Sequence, residues 1–232
     1  SPILEGTNTG FKYTRLEYYK TNQKEIPEMT GLVIPERVFS KVDYYATIFE
    51  PIKRAIRPYD TKKILDHHFL NSRGAIARFD RNAIEIRLVD IQESPKADIA
   101  ICVLIIEVLK LLVSNKLGSI QQQKKWPKQD LFDILNSIIK DAETFTVSNL
   151  DYLKVFNIED ASTVQNIWKH LYELAKPNIH ESHYEALDVI LNKGSLATRI
   201  LKAVGDDYSE KNISNVYSQI AQCLQENNMF ES

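Results

Sequence analysis

Apolar residues recur every three to four positions along much of this chain, and this spacing predicts helices over most of its length. Between Val38 and Ile56 the apolar side chains follow the spacing, and the pattern stops before Arg57 and Pro58. We therefore predict a helix over 38–56. Beyond residue 128 the same periodicity predicts five further helices, at roughly 128–145, 159–176, 181–192, 196–204 and 209–228.

Two short segments, 75–80 and 83–91, alternate between apolar and polar residues instead. This period of two, with Arg81 and Asn82 between the segments, predicts a β-hairpin with a tight turn. The segments before the hairpin carry weaker signals. We expect a loop over 1–12, extended chain over 13–20, and a loop or short strand over 27–35.

A long helix is expected after the hairpin. Ser94 is a suitable N-cap, Pro95 suits the first helical position, and Gly118 can end the helix. The stretch 99–106, which includes Cys102, is apolar on all sides, so we expect it to be buried, packed against the sheet. Charged residues on either side of this stretch argue against a membrane span.

The polar segment 119–128 predicts a linker, which divides the chain into two regions. We expect an α+β fold with a partial antiparallel sheet covered by helices over 1–118, followed by an all-helical extension over 119–232. Eight of the nine arginines precede residue 88. Because arginine suits bidentate binding of carboxylate and phosphate, any anion chemistry is expected in the first region.

The composition excludes several classes of protein. A net charge of −2 gives no indication of nucleic-acid or membrane partners, and two distant cysteines fit a reducing compartment, so we expect a cytoplasmic protein. The chain opens on a turn sequence without a leading methionine, so we expect it to be part of a longer protein.

One strand, 83–90, carries the candidate chemistry. Alternation places Ile84, Ile86 and Leu88 on one face, expected to lie under the long helix, and Glu85 and Arg87 on the other. A carboxylate and a guanidinium held on a rigid strand suit a site for a metal and an anion. From alternation alone, a solvated strand face is the commoner explanation.

Longer motifs favour the site. The segments 71–79, 84–93 and 95–98 resemble the C-terminal catalytic segment of glutamate–cysteine ligase family 2. The opening Ser-Pro-Ile-Leu-Glu-Gly, with Gly10 and Arg15 after it, resembles another segment of that family in the correct order. These motifs span roughly residues 1–115, and 119–232 carries no recognisable motif.

The resemblance implies a glutamine-synthetase-like catalytic fold, in which an antiparallel sheet forms one wall of a funnel. It implies an ATP-dependent ligase that phosphorylates the γ-carboxylate of glutamate and joins the acyl phosphate to an amine such as cysteine, as in glutathione biosynthesis. ATP would be a co-substrate and Mg²⁺ or Mn²⁺ the cofactor. Small-molecule substrates are the expected partners, and a homo-oligomer is left open.

The resemblance also assigns roles to individual residues. Glu85 matches the metal-binding glutamate of the motif, and Arg87 matches the catalytic arginine that faces the phosphoryl group and the substrate. Arg15 matches an arginine that contacts the amino-acid substrate. Asn71 and Arg73 lie in a family motif and are expected to line the substrate site.

Other candidates and departures qualify this picture. Arg78 is expected either to face away from Glu85 or to pair with an acid. The adjacent His67 and His68 should diverge, so that at most one lines the site. His180 and His183 could share a metal on a helix, but surface or capping roles are the commoner case. Ser94 stands where many relatives have cysteine.

The family's earlier carboxylate-rich strands and histidine metal motif would lie before residue 1. We therefore expect this chain to be inactive alone. The rival interpretation is a non-catalytic interaction module that keeps the fold without the chemistry.

Overall fold

A computed structural model describes residues 1–231 of the chain. These residues form two compact units. The first unit comprises residues 1–14, 91–125 and the chain from Ser137 onward, and the second comprises residues 15–90 and 126–136. Helices together with small antiparallel sheets confirm the predicted α+β class. The predicted division at residue 118 stays a prediction.

The described residues contain helices and three antiparallel strand pairs. In chain order the helices are α1 (Thr14–Tyr19), α2 (Lys41–Tyr44), α3 (Glu50–Ile56), α4 (His67–Leu70), α5 (Pro95–Val113), α6 (Ile120–Lys124), α7 (Lys128–Asp141), α8 (Leu150–Lys154), α9 (Val164–Ala175), α10 (Tyr184–Lys193), α11 (Leu196–Val204) and α12 (Glu210–Glu226). The strand pairs are β1 (Ile3–Leu4) with β2 (Thr7–Asn8), β3 (Ala75–Arg78) with β4 (Ala83–Ile86), and β5 (Thr146–Val147) with β6 (Ser162–Thr163). The pair β1–β2 lies in a segment that was expected to be a loop. The pair β5–β6 lies in the region that was expected to be all helical.

The long helix α5 organises the core of the first unit. Ser94 caps it as predicted, because its Oγ accepts a hydrogen bond from the Ala97 amide, and Pro95 is the first helical residue. The helix ends earlier than predicted, at Val113, because Asn115 adopts the left-handed conformation that ends helices. One face of α5 packs against α9 and α10. The buried apolar residues of that face are Ala97, Ala100, Leu104, Val108 and Leu111.

The opposite face of α5 is exposed, so the prediction of burial on all sides was wrong. An apolar stripe at alternating spacings of three and four residues faces solvent in the described structure: Ile99, Cys102, Ile106, Leu109 and Val113. Within the described residues of the first unit, packing partners exist for only one side of the helix. Among the helices described, none offers the unbroken apolar length that a bilayer crossing requires.

An ion pair buried from solvent joins distant parts of the first unit. The Arg199 guanidinium on α11 donates to the Glu93 carboxylate, and both side chains are fully buried. Arg199 also donates to the carbonyl oxygens of Gly194 and Phe230, and the Phe230 amide donates to Glu93 at 3.2 Å. Every charged atom of the pair therefore has a partner, which a buried charge requires.

The second unit is built around the predicted helix. It begins at Lys41 after Ser40 caps it, and α2, a π-helical turn at Tyr45–Phe49 and α3 continue to Ile56. Its buried face carries Tyr44, Ile48, Phe49 and Ile52. The hairpin prediction is confirmed by β3 and β4. The extended segment predicted over 13–20 was wrong, because the apolar side chains at 13, 16 and 19 follow a helical spacing and the chain forms α1.

The apolar face of β4 is not covered as predicted. Ile84 and Ile86 are 68% and 42% exposed, respectively. The strand does alternate between an apolar and a charged face, as predicted. Within the described residues, however, no helix or strand covers the exposed side chains of its apolar face. Both α5 and β4 therefore present apolar surface, each within its own unit.

Replacing Arg199 with methionine should strongly destabilise the protein, because Glu93 would be left buried and charged without its partner. We expect the free energy of unfolding to fall by about 3–5 kcal/mol. Urea unfolding followed by circular dichroism measures this change.

The matched control is Lys154→Met, which removes an exposed pair with Asp151. That variant should change the free energy of unfolding by less than about 0.5 kcal/mol. The double variant Glu93→Gln/Arg199→Met should recover part of the loss, because it leaves no unpaired charge. Equal effects of the Arg199 and Lys154 variants would contradict this account of the ion pair.

Candidate functional site

The β3–β4 hairpin brings the predicted charged residues together. In its antiparallel register Ile76 lies opposite Glu85, and Arg78 lies opposite Ala83. Arg87 follows β4 directly, and its amide donates to the Gly74 carbonyl at 2.8 Å, which extends the pairing by one residue. Glu85 and Arg87 therefore project from the same face, as the alternation predicted.

Glu85 lies between two guanidinium groups. Its Oε1 accepts from Arg87 Nε at 2.7 Å, and its Oε2 accepts from Arg78 Nη1 at 2.9 Å. The hydrogen bond from Arg87, together with that from Arg78, holds the pKa of the Glu85 carboxyl below its ordinary value, although partial burial acts in the opposite direction. The carboxylate is therefore ionised at neutral pH.

Each of the three guanidinium nitrogens of Arg78 donates a hydrogen bond to a carboxylate. Besides Glu85 it binds both oxygens of Asp80, at 3.2 Å each, and its guanidinium lies 5.0 Å from the centre of the Phe69 ring. This arginine is almost completely buried. Of the two expectations for Arg78, pairing with an acid is confirmed and facing away from Glu85 was wrong, since it shares a face with Glu85 on the hairpin.

Helix α1 brings Arg15 to the end of the same strand. Arg15 forms an ion pair with Asp90, and its Nη2 donates to the Arg87 carbonyl at 3.2 Å. The Arg15 side chain is 43% exposed, so part of its guanidinium faces solvent. Arg15, Arg87 and Glu85 thus form one continuous hydrogen-bonded group, although Arg15 lies 72 positions before Arg87 in the sequence.

Asn71 and Arg73 occupy a different, buried position. Asn71 has no exposed surface, donates to the Tyr44 hydroxyl at 3.0 Å and accepts from Arg73 Nη1 at 3.1 Å. Arg73 binds both oxygens of Glu36, and Lys128 donates to the same carboxylate at 3.1 Å. In this structure the polar atoms of Asn71 and Arg73 are used within the protein, a geometry typical of residues that position others.

Arg87 differs from the other arginines of the site in the side-chain nitrogen atoms that it can still offer to a ligand. The hydrogen bond of its side chain uses Nε, and within residues 1–231 its two Nη groups have no protein partner. Because the side chain is 24% exposed, these groups form an open fork. Two parallel N–H donors match the oxygens of a carboxylate or a phosphoryl group.

Glu85 suits one position in a metal site. A carboxylate has about four lone-pair positions, so two hydrogen bonds leave Glu85 further capacity. Mg²⁺ takes about six oxygen ligands. Within the described residues, the group of side chains close enough to share a metal is Asp66, His67 and His68, and it does not include Glu85. Glu85 can therefore supply one oxygen ligand of such an ion.

Sequence reasoning did not identify the partners that hold this site. Asp90 pairs with Arg15, Asp80 with Arg78, and Glu36 with Arg73. Asp80 is two residues from Arg78 and could have been considered from its spacing. The other two pairs join residues 75 and 37 positions apart and have no local signal in the sequence.

Replacing Arg87 with glutamine should raise the pKa of Glu85 toward its ordinary value, because the hydrogen bond from Arg87 is the largest cause of its depression. A depressed folded-state pKa stabilises the fold above the unfolded pKa, and this contribution is lost as the pH falls through the folded value. The variant should therefore lose less stability on acidification. Carboxyl-carbon NMR titration measures the pKa directly.

Arg81→Gln provides the control, since the exposed Arg81 pairs with Asp80 and not with Glu85. In that variant the Glu85 titration should be unchanged. An identical Glu85 pKa in the wild-type protein and in Arg87→Gln would show that the observed hydrogen bond is not made in solution.

Replacing Asn71 with alanine should lower the free energy of unfolding by about 1–3 kcal/mol, because the Tyr44 hydroxyl and Arg73 would each lose a buried partner. Chemical unfolding measures the change. Gln121→Ala, at an exposed helical position, should have an effect below about 0.5 kcal/mol. If the two variants were equally stable, a positioning role for Asn71 would be ruled out.

Comparisons with known proteins agree with the motifs. The sequence profile of Glutamate-cysteine ligase family 2 matches residues 1–218, which extends well beyond the roughly 115 residues that carry the recognisable motifs. No solved structure matches this chain.

A relative from Archaeoglobus fulgidus, described as an uncharacterized protein, is 28% identical over 236 residues. The match covers 99% of this chain and 55% of the relative, so the chain spans about half the length of the relative. The family profile, in contrast, covers nearly the whole chain. The chain therefore belongs to Glutamate-cysteine ligase family 2.

Proposed function

We propose that this chain forms part of the active site of an ATP-dependent carboxylate–amine ligase of glutamate–cysteine ligase type. The observation that carries the proposal is the open Nη fork of Arg87 next to the ionised carboxylate of Glu85. One group can bind an anion and the other can bind a cation, on adjacent positions of one strand face. Family membership supports this choice of reaction over other uses of such a pair.

In the proposed reaction the γ-phosphoryl group of ATP is transferred to the γ-carboxylate of glutamate, which gives an acyl phosphate and ADP. The amine of an acceptor such as cysteine then attacks the acyl carbon, and phosphate leaves. Arg87 would bind the phosphoryl or carboxylate oxygens through its Nη groups and offset the negative charge that they carry. Mg²⁺ or Mn²⁺, when bound, would neutralise phosphate charge, with Glu85 as one ligand.

The other predicted site residues take supporting roles in this proposal. Arg15 has an exposed portion beside Arg87 and is suited to contact the amino-acid substrate. Arg78 holds Glu85 in place from its buried position. Asn71 and Arg73 shape the segment that precedes β3 from inside the protein, so their effect on substrate binding would be indirect.

We further propose that the active enzyme needs more sequence than these 232 residues. The relative is about twice as long as the matched region, and within the described residues Glu85 belongs to no group of three or more side chains placed to share a metal. The exposed apolar stripe of α5 is a surface that a further segment of the same protein would bury. A cytoplasmic location, with cysteine as the acceptor and glutathione biosynthesis as the context, belongs to the same proposal.

A non-catalytic module is the second candidate. The observation in its favour is the charge balance of the site, since Arg15, Arg78 and Arg87 lie against Asp80, Glu85 and Asp90. Such a group could be purely structural. The unpaired Nη groups of Arg87 favour the ligase.

The decisive measurement is phosphate release by the full-length protein with ATP, Mg²⁺ and glutamate, with and without cysteine. We expect release that requires both amino acids. Glu85→Gln should lower the rate by at least about 10²-fold, and Arg87→Lys by about 10³-fold, because each removes charge or donors that act on the transferring group.

Arg81→Gln, on the same hairpin but exposed, is the matched control and should retain activity. The 232-residue chain alone should show no turnover, and detectable ligation by it would refute the proposed need for further sequence. Release with glutamate but without dependence on cysteine would point to another amine. The absence of release with any carboxylate would favour the non-catalytic module.

A further inference from the structure

Three consecutive side chains at the start of α4 converge on one another. Asp66 caps the helix, because its Oδ1 accepts from the His68 amide at 2.8 Å. The rings of His67 and His68 lie side by side, with centroids 4.1 Å apart, and both lie edge-on against Phe49. The expectation that adjacent histidines would diverge was therefore wrong, because the aromatic core of the second unit holds both rings on one side.

The distances among the donor atoms match those of a metal site. His68 Nδ1 lies 2.9 Å and His67 Nδ1 lies 3.4 Å from Asp66 Oδ1. One ligand atom from each residue lies within 4.8 Å of the others. With bonds of about 2.1 Å, neighbouring ligands of one ion lie ~3.0 Å apart at a right angle and ~3.4 Å apart at the tetrahedral angle. Little rearrangement would be needed to bind a cation.

His67 is poorly satisfied by the protein. Its Nε2 is a buried atom without a hydrogen-bond partner in the described structure, and its Nδ1 makes no hydrogen bond to Asp66 at 3.4 Å. Buried polar atoms nearly always have a partner. A cation bound at Nδ1, the nitrogen near Asp66, would give that atom a partner, whereas Nε2 would remain the N–H of the ring.

Nearby charges partly offset one another at this position, because Lys53 opposes positive charge on His67 whereas Asp66 and Glu50 favour it. Lys53 lies close to the aromatic rings but is paired with Glu50 at 2.8 Å, so its charge is balanced. Asp66 contributes a negative charge that is half exposed to solvent. The three side chains therefore present two imidazoles and one carboxylate, with a side open to water.

We propose that Asp66, His67 and His68 bind a divalent transition-metal ion of the Zn²⁺ class, separate from the site at Glu85. Imidazole nitrogen favours Zn²⁺ and related ions, whereas Mg²⁺ prefers oxygen ligands. Three protein ligands leave an open coordination position for water or another small molecule. The ion would fix the start of α4, four residues before Asn71, where the buried segment that leads to β3 begins.

The test is titration of the untagged, metal-free 232-residue chain with Co²⁺, followed by absorption spectroscopy, with Zn²⁺ added afterwards in competition. We expect one equivalent of Co²⁺ to give ligand-field bands, Zn²⁺ to abolish them, and a large excess of Mg²⁺ to leave them unchanged. Zn²⁺ should also raise the melting temperature of the chain, because it binds the folded state.

Conservative variants identify the ligands. His68→Gln and His67→Gln should each weaken binding by at least about 100-fold, since loss of a ligand exceeds the loss seen for outer partners. Asp66→Asn removes the carboxylate but keeps a good helix cap, so weaker binding with an unchanged far-ultraviolet spectrum would separate coordination from folding.

The pair His180 and His183 provides the matched control, because it is the other histidine pair with metal-binding spacing. His180→Gln/His183→Gln should bind Co²⁺ as the wild-type chain does. Binding that disappears in this control variant, equal competition by Mg²⁺, or no bands with the wild-type chain would each overturn the proposal. None of these outcomes depends on ligase turnover, so they leave the proposed reaction untouched.

Discussion

The buried ion pair between Glu93 and Arg199 is the interaction on which the first unit depends. Glu93 immediately precedes the cap of α5, Arg199 lies on α11, and both contact the backbone at Phe230 near the chain end. Buried ion pairs contribute little net stability, but removal of one partner is costly. The pair therefore fixes one arrangement of three distant segments, and the packing of α5 against α9 and α10 takes place within that arrangement.

The second unit uses arginines in two ways. Arg73 and Arg78 are buried, and their donors bind acids and backbone carbonyls within the protein. Arg87 makes one side-chain hydrogen bond and keeps its Nη groups open. This contrast separates residues that hold the hairpin from the residue that can bind an anion. Near Phe49, the paired imidazoles of the second unit offer a different, nitrogen-rich set of donors.

Exposed apolar surface connects the fold with the proposed activity. The stripe on α5 and the exposed Ile84 and Ile86 on β4 each have the pattern of a surface built for packing. The Archaeoglobus fulgidus relative is nearly twice as long as the matched region, which supports the proposal that a further segment buries this surface. The family match covers residues 1–218, and the need for further sequence to complete the active site is a proposal.

Elements with strong local signals could be predicted from the amino-acid sequence. Periodicity gave the hairpin and the helix that ends at Ile56, Ser94 and Pro95 gave the start of α5, and family motifs gave Glu85 with Arg87. These features depend on neighbouring residues. Long-range packing determines which face of α5 is buried and that His67 and His68 converge. It also pairs Asp90 with Arg15 and Glu36 with Arg73. Such outcomes depend on contacts between residues far apart in the chain, and a local pattern carries no record of which distant partner will pack against it.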